Sequence, residues 1–231
     1  MNFTNCPVTL ILIAANVIFS MIGFSNRDML NKFIGWPYYE KKNNQYYRFV
    51  SSGFLHADWA HLIFNMIALF LFGSILEPLF SYGLGGAPAY LALYFFGMIM
   101  GDIPGFLKHR EDEYYRSLGA SGAVSAVVFA CIVFMPWNTF SLYGFIRLSG
   151  VVFAILYIVY CVYMGKRKMD NIGHDAHLWG SIFGLAFMLA LVAIMRSDLF
   201  PYILEDLQHP TLTGRREPGL ALQYLMNGAP L

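Results

Sequence analysis

The chain has 231 residues, 58% hydrophobic, 17% aromatic and only 13% charged, where an ordinary soluble domain carries about 25% charge. This composition excludes a disordered chain, a collagen-like chain and, with 3 Cys, a disulfide-framed secreted fold. Lys+Arg 15 against Asp+Glu 14 gives a net charge of +1, which leaves no basic field for nucleic acid, and a mean hydropathy of +0.53 means too few polar residues to clothe a soluble surface.

A membrane helix needs about 20 mostly apolar residues, and six stretches meet that measure. The first covers residues 7–24. No Lys or Arg precedes Arg27 and no small-x-small cleavage site closes the stretch, so it reads as a retained helix and not a signal peptide. The long connection 25–55 mixes Trp36, Pro37, Tyr38, Tyr39, Tyr46 and Tyr47 with charges. Aromatics of this kind favour the headgroup level, so the loop is expected to lie in the membrane interface. The second stretch covers 59–80, the third 87–105, the fourth 118–136, the fifth 141–164 and the sixth 175–195. The connection 106–117 is short and charged, and Lys166, Arg167 and Lys168 lie between the last two spans. Residues 198–231 are polar, carry Pro201, Pro210, Pro218 and Pro230, and read as a loosely ordered tail to a membrane domain of residues 1–197. Cys6, Cys131 and Cys161 all fall in apolar runs without a C-x-x-C pattern and read as inert buried thiols.

Polar groups inside spans are costly, so each is a candidate functional residue. Few occur, and they share a position. His61 and Asn65 lie early in the second span, Ser121 opens the fourth, and His177 opens the sixth. With six spans the even-numbered ones run in the same direction, so these residues fall at one depth on one membrane face. His61 and Asn65, four apart, share a helix face and carry hydrogen-bond donors suited to an anion; taken alone they also fit helix–helix hydrogen bonding. Ser121 sits in Gly119-Ala120-Ser121-Gly122, whose small residues permit close approach to the hydroxyl and whose helix start offers free backbone N–H groups. Taken alone, that run also fits plain helix packing. Ala176, Gly180 and Gly184 form a small-residue stripe beside His177, and Gly122, Ala126 and Ala130 form a matching one on the fourth span. Two such stripes bring helices close enough for a Ser–His pair.

The pattern resembles the rhomboid family of intramembrane serine proteases. The residues that carry the resemblance are His61-x-x-x-Asn65, Gly119-Ala120-Ser121-Gly122 and Ala176-His177-x-x-Gly180-x-x-x-Gly184. Arg48 ahead of Phe54-Leu55-His56, and Gly73-x-x-x-Glu77, extend it, so that it covers 48–184 in order. The resemblance implies an all-α membrane protein, a rhomboid-like bundle of six transmembrane helices in which the fourth is short and central. It implies Ser121 as nucleophile and His177 as general base and then acid. His61, Asn65 and the Ser121 backbone N–H would form the oxyanion hole. His56 would support the site from its rim, and Gly119, Gly122 and Gly180 through close backbone approach. The substrates would be membrane-anchored proteins cleaved in or near their spans, with lipid as surroundings and with no metal, organic cofactor or nucleic acid. The fifth span, 153–163 above all, would gate substrate entry.

Three departures stand out. Four residues after the serine the family carries an aromatic against the catalytic histidine; here the residue is Ser125, with Trp179 and Phe129 as candidate replacements for the ring. His174 is an additional histidine beside His177, and Tyr47-Arg48 stands where many members have Trp-Arg. The family places the site on the outer side of a bacterial plasma membrane. The positive-inside rule points the other way, since Arg27, Lys32, Lys41, Lys42, Arg48, Lys108, Arg110, Arg116, Lys166, Arg167 and Lys168 all lie on the site's face. Two other functions compete: an inactive rhomboid-like protein that binds membrane clients, and a metal-dependent enzyme or transporter built on His56, His61, His174 and His177, which lacks the H-E-x-x-H pattern.

Overall fold

The computed structural model describes residues 6–142, 146–167, 173–211 and 219–226. Lys168, one of the basic residues on the site's face, lies outside the described residues. Among the described residues, five helices are long and apolar enough to cross a membrane: α1 (Pro7–Ser25), α5 (Trp59–Ser81), α6 (Gly86–His109), α8 (Gly150–Arg167) and α9 (His174–Met195). The sixth expected span is α7 (Ser121–Phe134), whose 14 residues extend only about 21 Å, short of a hydrocarbon core of about 30 Å. Gly119, at φ +122, and Pro136 bracket it and set its length.

α7 is the axis of the bundle. Every residue from Gly122 to Phe134 is buried, against α9, α6 and α5. Glycine makes this closeness possible. A side chain at Gly180 would collide with the Gly122 carbonyl, and one at Gly184 with the Ala126 carbonyl. On α6, Gly101 faces the Ala176 carbonyl, 3.0 Å from where a Cβ would stand. The two small-residue stripes read from the sequence are therefore the α7–α9 seam. Outward-facing Ile11, Ile18, Phe64, Ile67, Phe96, Ile155, Val159 and Ile194 are exposed on the spanning helices, as lipid-facing side chains are.

Two polar networks fix the periphery. The Glu77 carboxylate accepts from the Val8 N–H (2.8 Å), the Thr9 N–H (2.7 Å) and the Thr9 hydroxyl (2.7 Å), so it caps the otherwise unpaired N-terminus of α1. Gly73 belongs to the same junction, because a Cβ there would meet the Tyr90 hydroxyl at 2.6 Å. The connection 25–55 is ordered into α2 (Arg27–Phe33), α3 (Pro37–Asn43) and α4 (Arg48–Ser51), followed by a 3₁₀ turn, Ser52–Phe54. Buried Arg48 ties it together, donating to the carbonyls of Asn31 (3.0 Å) and Ile34 (2.6 Å) and to the Gln45 side chain (2.8 Å).

Two segments differ from the sequence reading. The fifth apolar stretch does not begin as helix. Its start is a hairpin, β1 (Thr139–Leu142) antiparallel to β2 (Ile146–Ser149), and α8 begins only at Gly150. Thr, Phe and Ile favour the extended state there, and hydropathy alone cannot separate that from helix. After a 3₁₀ turn, Ser197–Leu199, the C-terminal segment contains α10 (Phe200–Gln208) and α11 (Leu220–Met226). Leu222 and Leu225 of α11 enter the core, so apolar burial orders these described parts of what reads in the sequence as a loose tail.

Candidate active site

The candidate residues lie at the N-terminal ends of α5, α7 and α9. Ser121 is the first residue of α7, where the helix begins with unpaired backbone N–H groups and the positive end of its dipole. Gly119 takes a left-handed conformation, and its N–H donates to the Ser52 carbonyl at 3.1 Å. This pins the loop before Ser121 to the turn after α4. A Cβ at Gly119 would stand 2.6 Å from His61 Cε1, so the His61 ring lies directly on that loop.

His61 is placed by the start of α5, where the Asp58 side chain accepts its backbone N–H at 2.8 Å as an N-cap. His56 lies edge-on to it, with ring centroids 5.0 Å apart. His56 Nδ1 and the Ser20 hydroxyl are hydrogen-bonded at 2.8 Å, and the same hydroxyl donates to the Phe54 carbonyl at 3.0 Å, so α1 holds His56 in place. Burial, reinforced by His61, pushes the His56 imidazole down to about 3, which keeps it neutral. Buried Asn65 donates to the His61 carbonyl one turn back, at 3.0 Å. That leaves its second amide hydrogen and its oxygen for other partners.

His177 is half-buried one turn into α9, between the residues that touch α7 at Ala176 and Gly180. Its carbonyl accepts from the buried Ser181 hydroxyl at 2.8 Å. The Ser121 hydroxyl makes no hydrogen bond among the described residues, as is common before substrate binds. The structure thus brings Ser121, His61 and Gly119 together at one end of α7 and sets His177 on the facing helix.

The ring missing at Ser125 is supplied by another helix. Tyr157 of α8 stacks on His177, with centroids 6.0 Å apart and planes 14° from parallel. Its hydroxyl is hydrogen-bonded to Ser125 at 3.0 Å. Phe129 backs Tyr157 at 5.8 Å and does not itself replace the lost ring, and Trp179 is 44% exposed. Ser125 is thus a partner for the replacement ring, and the pair spans 32 residues of sequence. Sequence reading missed Tyr157; the one signal for it is the Phe153, Tyr157, Cys161 spacing, which marks a single face of the fifth span.

The Rhomboid domain family model matches residues 43–194. The chain belongs to the rhomboid family. Among its relatives, the putative rhomboid protease YdcA of Bacillus subtilis is 27% identical over 156 residues, which cover 68% of this chain and 71% of that one. Rhomboid protease GlpG of Haemophilus influenzae is 27% identical over 182 residues, covering 77% and 87%. RHOMBOID-like protein 12, mitochondrial, of Arabidopsis thaliana is 27% identical over 187 residues, covering 74% of this chain and 54% of its own length, so the chain spans about half of that relative. Rhomboid membership and the apolar helices make this an integral membrane protein of the all-α rhomboid type.

Proposed function

We propose that this rhomboid is an intramembrane serine endopeptidase that hydrolyses peptide bonds in or near the spans of membrane-anchored proteins. The observation that carries the reading is the joint placement of His177 and Tyr157. Tyr157 lies against the His177 ring and is bonded to Ser125, one helical turn from Ser121, which supports a pairing of His177 with Ser121.

In the proposed reaction Ser121 Oγ attacks the scissile carbonyl while His177 takes its proton. His61, Asn65 and the Ser121 N–H donate to the developing oxyanion. His177 returns the proton to the leaving amine, and the acyl-enzyme remains. Water, activated by His177, then releases the acid and frees Ser121. Each proton is held by a residue of this chain, and the reaction calls for no metal or organic cofactor. α7 is too short to cross the bilayer, so a site at its N-terminus set below the membrane surface would need a polar opening for water.

The membrane domain is taken as residues 1–197, with 25–55 in the interface, and the protein is placed in a bacterial plasma membrane with the site outward. Two ion pairs on the site's face, Lys41–Glu111 and Lys108–Asp175 (2.8 Å), reduce the positive charge that opposes this orientation. Cleavage of a single-span substrate in detergent, lost in Ser121→Ala and in His177→Ala, is the test; a folded wild type that binds such a substrate without cutting it would favour the inactive, client-binding function.

A further inference from the structure

The seam between α8 and α9 holds a second group of reactive side chains. Cys161 comes from α8, and His174 and His177 lie three residues apart on α9. The Cys161 Sγ and one ring nitrogen from each histidine all lie within 4.8 Å of one another. Cys161 is 1% and His174 4% exposed, while His177 is half-buried. The two imidazole rings are 6.1 Å apart and nearly perpendicular, at 77°. His174 is the first residue of α9, so the cluster stands at the helix end and not at mid-bilayer.

We propose that Cys161, His174 and His177 form an inhibitory zinc site. A thiolate with two imidazoles is a donor set suited to zinc, whereas Mg²⁺ and Ca²⁺ take oxygen donors. At bond lengths of about 2.3 Å to sulfur and 2.0–2.1 Å to nitrogen, tetrahedral donors stand roughly 3.3–3.6 Å apart. Small side-chain rotations close the cluster from its present spacing, and water takes the fourth position. On binding, one Zn–S and two Zn–N bonds form, all but one of the waters leave the hydrated ion, and the Cys161 thiol proton passes to solvent, with no oxidation or reduction.

The consequence follows from imidazole chemistry and rests on the protease reading. A neutral imidazole coordinated through one nitrogen carries its proton on the other. A zinc-bound His177 therefore has no nitrogen left to accept the Ser121 proton. The metal here is a reversible stop and not a cofactor.

The test uses the purified full chain in detergent with Co²⁺ and Zn²⁺ as probes. Co²⁺ gives a thiolate-to-metal absorption band in the wild type and in Ser121→Ala, and Zn²⁺ displaces it. The band is absent in Cys161→Ala and weaker in His174→Ala. In the cleavage assay Zn²⁺ inhibits the wild type, EDTA restores the rate, and Mg²⁺ has no effect. Cys161→Ala cleaves normally in EDTA and needs at least ~10-fold more zinc for half-inhibition. Equal zinc sensitivity of wild type and Cys161→Ala, or a wild type without the cobalt band, overturns the proposal. A wild type that shows the band but cleaves nothing in EDTA overturns the protease reading and leaves the metal site standing.

Discussion

Replacing Tyr157 with Leu removes the ring that lies against His177 while leaving Ser121, His177 and the oxyanion donors in place. The stacked pair, 6.0 Å between centroids at 14°, is worth about 0.5–1.5 kcal/mol beyond its buried area. If that energy holds the imidazole in its working orientation, losing it lowers kcat by ~2- to 13-fold at about 1.36 kcal/mol per decade. KM stays nearly constant, since Tyr157 acts through His177. Tyr157→Phe keeps the ring and gives up the 3.0 Å bond to Ser125, so it costs about 1 kcal/mol of stability but less of kcat. Exchanging the two positions, Ser125→Tyr with Tyr157→Ser, returns an aromatic to α7 and recovers rate over Tyr157→Ser alone. The assay is initial-rate cleavage of a single-span substrate in detergent, with thermal unfolding of each variant as the control for folding. A folded Tyr157→Leu protein with unchanged kcat would mean that Tyr157 does not orient His177. Equal losses in Phe and Leu refute the assignment to the ring.

Other outcomes follow from the same geometry. Asn65→Ala slows cleavage by less than the ~10²–10³-fold of a lone oxyanion donor, because His61 remains; initial rates measure it. Gly119→Ala forces a left-handed φ on a residue with a side chain and pushes against His61, so activity falls more than stability, as paired rate and melting measurements show. Gly180→Val drives α9 away from α7 and destabilises the fold by about 1–3 kcal/mol, read by denaturation in detergent. His56 is protonated below about 6.5 when unfolded but only below about 3 when folded, so the unfolded chain binds the extra proton between these values. Stability therefore falls as pH drops from 6.5 toward 3, and His56→Gln flattens that slope in a pH series of melting curves.

Much of the candidate site is legible because lipid makes polar residues conspicuous. His61, Asn65, Ser121 and His177 stand out in apolar spans, and the glycines at 180 and 184 announced the seam that the structure places against Gly122 and Ala126. Arg48 and Glu77 could be marked by resemblance, but their partners could not, since each satisfies backbone groups distant in sequence. Tyr157 was hidden for the same reason: nothing local links it to a serine 32 residues earlier. The hairpin before α8 was hidden because Phe140, Leu142, Ile146 and Leu148 run on into the apolar helix without a break that hydropathy registers, and α11 because an apolar run of seven residues does not stand out within a polar segment.

The central claim is that Ser121 is a nucleophile activated by His177. Covalent labelling with a fluorophosphonate, followed by mapping of the modified peptide, tests it most directly. One adduct is expected, on Ser121, slowed in His177→Ala and absent in Ser121→Ala together with all cleavage. An adduct or cleavage that persists in Ser121→Ala would contradict it.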